Sequence, residues 1–134
     1  MPDFGDLDGL AIIIAVVAAQ VLGFLWYGPL FGRQWMAAIG KTKEDMSGSA
    51  GPAIGIGVVM SVVRAGILAL LIGLSNTPDL GSGIKLGVVL AAVTASGIIT
   101  GHLYEERVST LTWINCGYEI VMWAVMGAII GGMW

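Results

Sequence analysis

Four apolar runs alternate with short polar stretches along this chain, and each run is long enough to cross a bilayer. A membrane-spanning helix takes ~20 mostly apolar residues. The runs predict helices at about 9–27, 53–74, 83–103 and 111–133. Asp8 is placed to cap the first, Ser82 the third, and Ser109 or Thr110 the fourth. Pro52 suits the first turn of the second. After the first run comes W-Y-G-P-L-F-G-R-Q-W-M, where Pro29 should end or kink the helix. Phe31, Trp35 and Ile39 then recur at four-residue spacing, which predicts a short helix at about 31–40 lying in the membrane interface. Residues 41–51, K-T-K-E-D-M-S-G-S-A-G, read as a flexible polar connection. The expectation is an all-α polytopic membrane protein: a four-transmembrane-helix bundle forming one domain over residues 1–134.

Small residues recur along the runs at four-residue spacing. The first has Ala11, Ala15, Ala19 and Gly23, and the third has Gly83, Gly87, Ala91 and Ala95. In the second the stripe is unbroken: Ala53, Gly57, Ser61, Ala65, Ala69 and Gly73. Such stripes let backbones approach closely in lipid, where dispersion and not water exclusion holds helices together. The second helix is therefore expected to be the most tightly packed.

Composition supports the membrane reading. The chain is 57% hydrophobic and 11% charged, against ~25% charged in ordinary soluble domains. A soluble core of this size hides one such run, not four. The net charge of -3 says little, because most acidic residues lie outside the runs, and no basic patch points to nucleic acid. The N-terminus M-P-D-F-G-D-L-D lacks the basic residues of a secretory signal, so the first helix is expected to be retained. The single Cys116 lies in an apolar run and reads as a packing residue. Arg33, Lys41 and Lys43 follow the first helix and Arg107 the third, whereas the other side offers Lys85 among Asp3, Asp6, Asp8 and Asp79. The positive-inside rule then places both termini outside.

The chemistry is concentrated in the last run. Thr112, Asn115 and Glu119 fall at spacings of three and four and share one helical face. A carboxylate inside a span should face other helices and meet a cation, and Arg64, next to the stripe of the second run, is the candidate. Gln20 in the first run and Asn115 complete an expected intramembrane polar cluster with Arg64 and Glu119. Trp26, Tyr27, Phe31, Trp35, Tyr104 and Trp113 read as an aromatic belt at the cytoplasmic boundary, with Trp123 deeper. His102, Glu105 and Glu106 share a face, but a solvated helix end explains them better than a metal site, and no cofactor is implied. With one His and one Cys, and glycines in apolar helices instead of a phosphate loop, no enzyme is expected.

Three stretches resemble an uncharacterised prokaryotic membrane-protein family, domain of unknown function 1761. They are W-Y-G-P-L-F-G-R-Q-W-M at 26–36, L-Y-E-E-R at 103–107 and I-N-C-G-Y-E-I-V-M-W-A-V-M-G at 114–127. The resemblance implies four membrane helices, a prokaryotic cytoplasmic (inner) membrane and no assigned activity. It matches motif positions at Trp26, Tyr27, Gly28, Phe31, Gly32, Trp35, Glu105, Asn115, Gly117 and Tyr118; Arg64 and Glu119 are not among them.

Two functional classes follow. The first is a structural or interaction protein, forming a homo-oligomer or serving as an accessory subunit of a membrane complex. The small-residue stripes favour it. The second is a small ion or solute transporter or channel using Arg64 and Glu119, since ionisable groups inside membranes often mark pathways.

Overall fold

The computed structural model describes residue 7, residues 9–42, residue 44 and residues 50–134. Among them are five α-helices: α1, Gly9–Leu25; α2, Gly32–Ile39; α3, Ala50–Leu74; α4, Leu80–Tyr104; and α5, Ser109–Gly132. Four segments are long and apolar enough to span a membrane: Gly9–Leu30, Gly51–Leu74, Leu80–Tyr104 and Ser109–Gly132. The protein is an all-α, four-span membrane bundle.

The bundle is built around α5. Half of its most apolar stretch is buried, against 22% in each of the other three spans. Met122, Trp123, Met126 and Ile130 of α5 pack with Ala15, Val16 and Ala19 of α1, Ala91 of α4, and Ala65, Leu68, Ala69 and Ile72 of α3. α1 and α4 meet this hub mainly through small residues and α3 also through Leu68 and Ile72, while other large side chains, such as Ile13, Val17, Ile54, Val59 and Val93, turn outward. That is the arrangement a bilayer favours, because apolar side chains lose nothing by facing lipid and association gains from close contact.

The closest approach lies between α4 and α5. A Cβ built on Gly83 would overlap the Gly127 carbonyl, one on Gly87 the Trp123 carbonyl, and one on Gly131 the Asp79 carbonyl. This corrects the expectation that the second span is the most tightly packed. In α3, Ser61, Ala65, Ala69 and Gly73 are buried, but Ala53 is exposed and Gly57 has open space where a Cβ would stand. Leu68 and Ile72 share the buried face of α3 and act as spacers. The buried positions of α4 are Gly83, Gly87 and Ala91, which hold nothing apart.

Local details refine the expected helix ends. The first span ends beside Pro29, as expected, and it does so through a widened turn. Residues Trp26–Leu30 form a π turn, closed by the Phe31 N–H donating to the Trp26 carbonyl at 2.9 Å. A proline has no N–H and its ring collides with the carbonyl four residues back; widening the turn removes the conflict. Gly32 lies where a Cβ would press on the Tyr27 carbonyl. At the other end of α2, Gly40 adopts φ 71°, and the N–H groups of Gly40 and Lys41 return to Ala37 and Met36 in a Schellman closure.

The cap of α4 is Asp79, three residues before the expected Ser82. The Asp79 carboxylate accepts from the Ser82 N–H at 2.7 Å, and the Ser82 hydroxyl accepts from the Asp79 N–H at 3.0 Å. Aspartate is a strong cap, and serine at the third helical position completes a box. The Ser82 backbone bond, above all, holds the Asp79 carboxyl below the usual carboxylate range. At the start of α5 the cap position falls to Val108, whose side chain has no acceptor, and Ser109 is already helical. Ala50 and Gly51, expected in the polar connection, are helical as well. The expected cap Asp8, with residue 43 and residues 45–49 of that connection, lies outside the described residues.

Candidate functional site

Two stretches far apart in the sequence meet where the π turn crosses α5. The Trp26 indole N–H donates to the Ile114 carbonyl at 2.9 Å, and the Tyr27 hydroxyl donates to Asn115 Oδ1 at 2.7 Å. Gly117 leaves room for the Trp26 ring, which stands 2.9 Å from where a Cβ would be. One residue on, the Tyr118 hydroxyl donates to the Ala19 carbonyl at 3.0 Å and lies against Gly23. The rings continue the contact. Trp26 meets Phe31 at 4.8 Å between centroids, and Tyr27 meets Trp35 at 5.1 Å and Tyr118 at 5.4 Å. At the start of the widened turn Trp26 and Tyr27 face α5, and each aromatic body packs while its polar atom finds a partner.

Of the six aromatics expected at the membrane boundary, four make contacts within the bundle. Trp26, Tyr27, Phe31 and Trp35 form this joint with α5. Tyr104 and Trp113 stand apart from it and are 87% and 79% exposed.

The intramembrane polar residues divide into separate groups. Arg64 Nη2 lies 3.5 Å from Glu119 Oε1. The other carboxylate oxygen accepts from the Trp123 indole N–H at 3.1 Å, and that N–H also reaches Thr94 Oγ1 at 3.2 Å. The Arg64 guanidinium sits 5.9 Å from the centre of the Trp123 ring, within cation–π range. Gln20 is held elsewhere: its amide donates to Ser61 Oγ at 2.6 Å and ties α1 to α3. Asn115 shares the Glu119 face, but its carbonyl oxygen is taken by Tyr27.

Trp123 is the member that sequence reasoning left out. It stands four residues after Glu119 on the same helix, a spacing at which side chains meet, and that signal was available. Thr94 carried no such signal, because only the α4–α5 packing brings it there.

An open cleft of about 450 Å³ adjoins both groups, lined by Tyr27, Trp35, Ile98, Asn115 and Glu119. Its walls come from the π turn, α2, α4 and α5. Toward the α4–α5 turn, His102 Nδ1 and Thr112 Oγ1 are hydrogen-bonded at 2.7 Å, and Glu105 pairs with Arg107 at 3.1 Å. Among the described residues, no three His, Cys, Asp or Glu side chains are grouped to hold a metal ion.

The family model described as "Protein of unknown function (DUF1761)" matches residues 10–131. No curated protein and no solved structure matches the chain.

Proposed function

The chain belongs to this family of proteins of unknown function, and we propose that it is a non-catalytic interaction protein of a prokaryotic cytoplasmic membrane. It forms a homo-oligomer or serves as an accessory subunit of a larger membrane complex. The observation that carries this reading is the state of Arg64. Its side chain keeps 35% of its surface exposed while its partner Glu119 keeps 9%. Around Arg64 on α3, Met60, Val63 and Ile67 are exposed. A charge facing hydrocarbon costs ~2.5–3.5 kcal/mol even on lenient scales, and a second polypeptide over this face removes that cost. The asymmetry of Lys and Arg supports both termini outside.

The mass of the particle in lipid nanodiscs tests the reading, together with disulfide crosslinking of Ile67→Cys in a Cys116→Ser background. A dimer or larger assembly crosslinked through this face is expected. A strict monomer that co-purifies with no other subunit overturns it. Labelling of a single Cys at position 79 tests the orientation, and shielding from external reagents reverses it.

A second reading, a small ion or solute transporter using Arg64 and Glu119, is supported by the cleft that reaches the Glu119 carboxylate. Solute flux in proteoliposomes that disappears in Glu119→Gln distinguishes it from the first.

A further inference from the structure

The geometry points to a binding site for an organic ammonium ion in the cleft formed by the π turn, α2, α4 and α5. The assignment rests on neither functional reading above and holds whatever the number of chains in the particle.

Of the residues that line the cleft, Tyr27, Trp35, Ile98, Asn115 and Glu119, the charged one is Glu119. Arg64 is not part of the lining; it approaches the carboxylate from α3 and lies over the Trp123 ring. Its 3.5 Å separation from Glu119 Oε1 is longer than the ~2.7–2.9 Å of a full charge-assisted bond. A carboxylate has about four acceptor positions, and the contacts with Arg64 and Trp123 leave some of them for a ligand.

The walls suit the same ligand. Tyr27 and Trp35 meet edge to face at an angle of 64° and form two sides of a corner. Aromatic rings attract cations through the negative charge of their faces, most strongly where water is excluded. Because the Tyr27 hydroxyl gives its proton to Asn115, its oxygen is left as an acceptor toward the cleft. Ile98 supplies an apolar wall for a hydrocarbon substituent. The volume of about 450 Å³ falls in the ~300–1,000 Å³ range of small-molecule sites. One carboxylate, two aromatic rings and an apolar wall select a monocation with an alkyl or aryl group over an anion. Such an ammonium belongs either to a free solute or to an amine-bearing lipid headgroup.

The test uses the full-length protein in dodecyl maltoside, a detergent without an ammonium group, and radiolabelled benzyltrimethylammonium in equilibrium dialysis. Saturable binding at one ion per chain is expected. Trp35→Ala and Glu119→Gln should each weaken it by about tenfold or more, while Trp113→Ala, on the exposed surface, should leave it unchanged. Since Glu119→Gln strands Arg64 and risks misfolding, the wild-type protein supplies a second arm. Neopentylbenzene, the neutral isostere, should fail to displace the ion. Short-chain lipids then separate the two sources. Displacement by dihexanoyl phosphatidylethanolamine but not by the phosphatidylglycerol assigns the site to a headgroup, and displacement by neither assigns it to a free solute. Absence of saturable binding, equal competition by neopentylbenzene, displacement by both lipids, or unchanged affinity in folded Trp35→Ala overturns the proposal.

Discussion

The α4–α5 pair and α3 are built from similar sequences and packed in opposite ways. Both carry glycine and alanine at four-residue spacing. In the pair, glycine meets glycine: Gly83 faces Gly127 and Gly131, and carbonyl groups stand where a methyl would go. In α3 the stripe meets larger side chains over its second half and little over its first. Gly55 and Gly57 there have open space around them. A run of small residues on one helix is thus not enough for close contact. The partner must present its own small residues at the same height, and Leu68 and Ile72 must not stand beside them as spacers. What holds α3 is its buried second half, the Gln20–Ser61 hydrogen bond and the Arg64–Glu119 ion pair.

The largest expected effect breaks this contrast directly. Gly127→Ala should cost roughly 3 kcal/mol, the upper end of the overpacking range, because the new methyl collides with backbone that cannot move without separating the helices. Gly57→Ala should be neutral or slightly stabilising, since alanine is the better helix former. Unfolding of the detergent-solubilised proteins in sodium dodecyl sulfate measures both. Equal stability of the two variants would erase the distinction between the regions.

A mutant cycle on the ion pair comes next. Arg64→Met or Glu119→Gln alone should cost ~1.5–3 kcal/mol by leaving the partner charge unpaired. The double variant should recover much of that loss. If the singles add, the two groups do not support each other and α3 is held by packing alone.

The third effect sharpens the description of α3. Leucine at Ala65 or Ala69, which are 0% and 3% exposed, should cost about 1–3 kcal/mol through overpacking. Ile67→Leu and Leu70→Ile, at positions about half exposed, should change little. A uniform response at all four positions would mean that α3 has no distinct buried face.

The smallest effect concerns the turn that joins the two regions. The Asp79 carboxyl is held below its ordinary range by the Ser82 N–H. A group whose pKa is lowered by folding contributes stability above its unfolded pKa. That contribution fades as pH falls through the folded value, so the loss belongs to the acid side of the carboxylate range. Asp79→Asn keeps a capping oxygen and should remove this pH step without abolishing the cap. An identical acid profile in wild type and variant would show that the box does not sense pH.

The polar pattern of the last span was informative in the sequence. A carboxylate inside an apolar run implied burial and a cation, and the chain offered Arg64. Asn115 and Gln20 were legible as intramembrane polar groups but not in their pairings. Each polar atom takes whichever partner the packing brings within about 3 Å, and those partners, Tyr27 and Ser61, lie on other helices. The aromatics near Pro29 were legible by composition. Their aim was not, because it depends on a π turn that shifts the register of the rings after it.

By itself, then, the sequence determined the number of spans, the all-α class, the small faces of the helices and the presence of charge within the membrane. Apolar length and helical period are local properties, readable along one strand of text. Tertiary structure alone decided which small face met another small face, which helix became the hub, and which residues shared the cleft beside Glu119. Those outcomes depend on the height and rotation of one helix against the next. In lipid nearly every apolar face is acceptable to the solvent, so close packing and a few polar contacts choose among the arrangements.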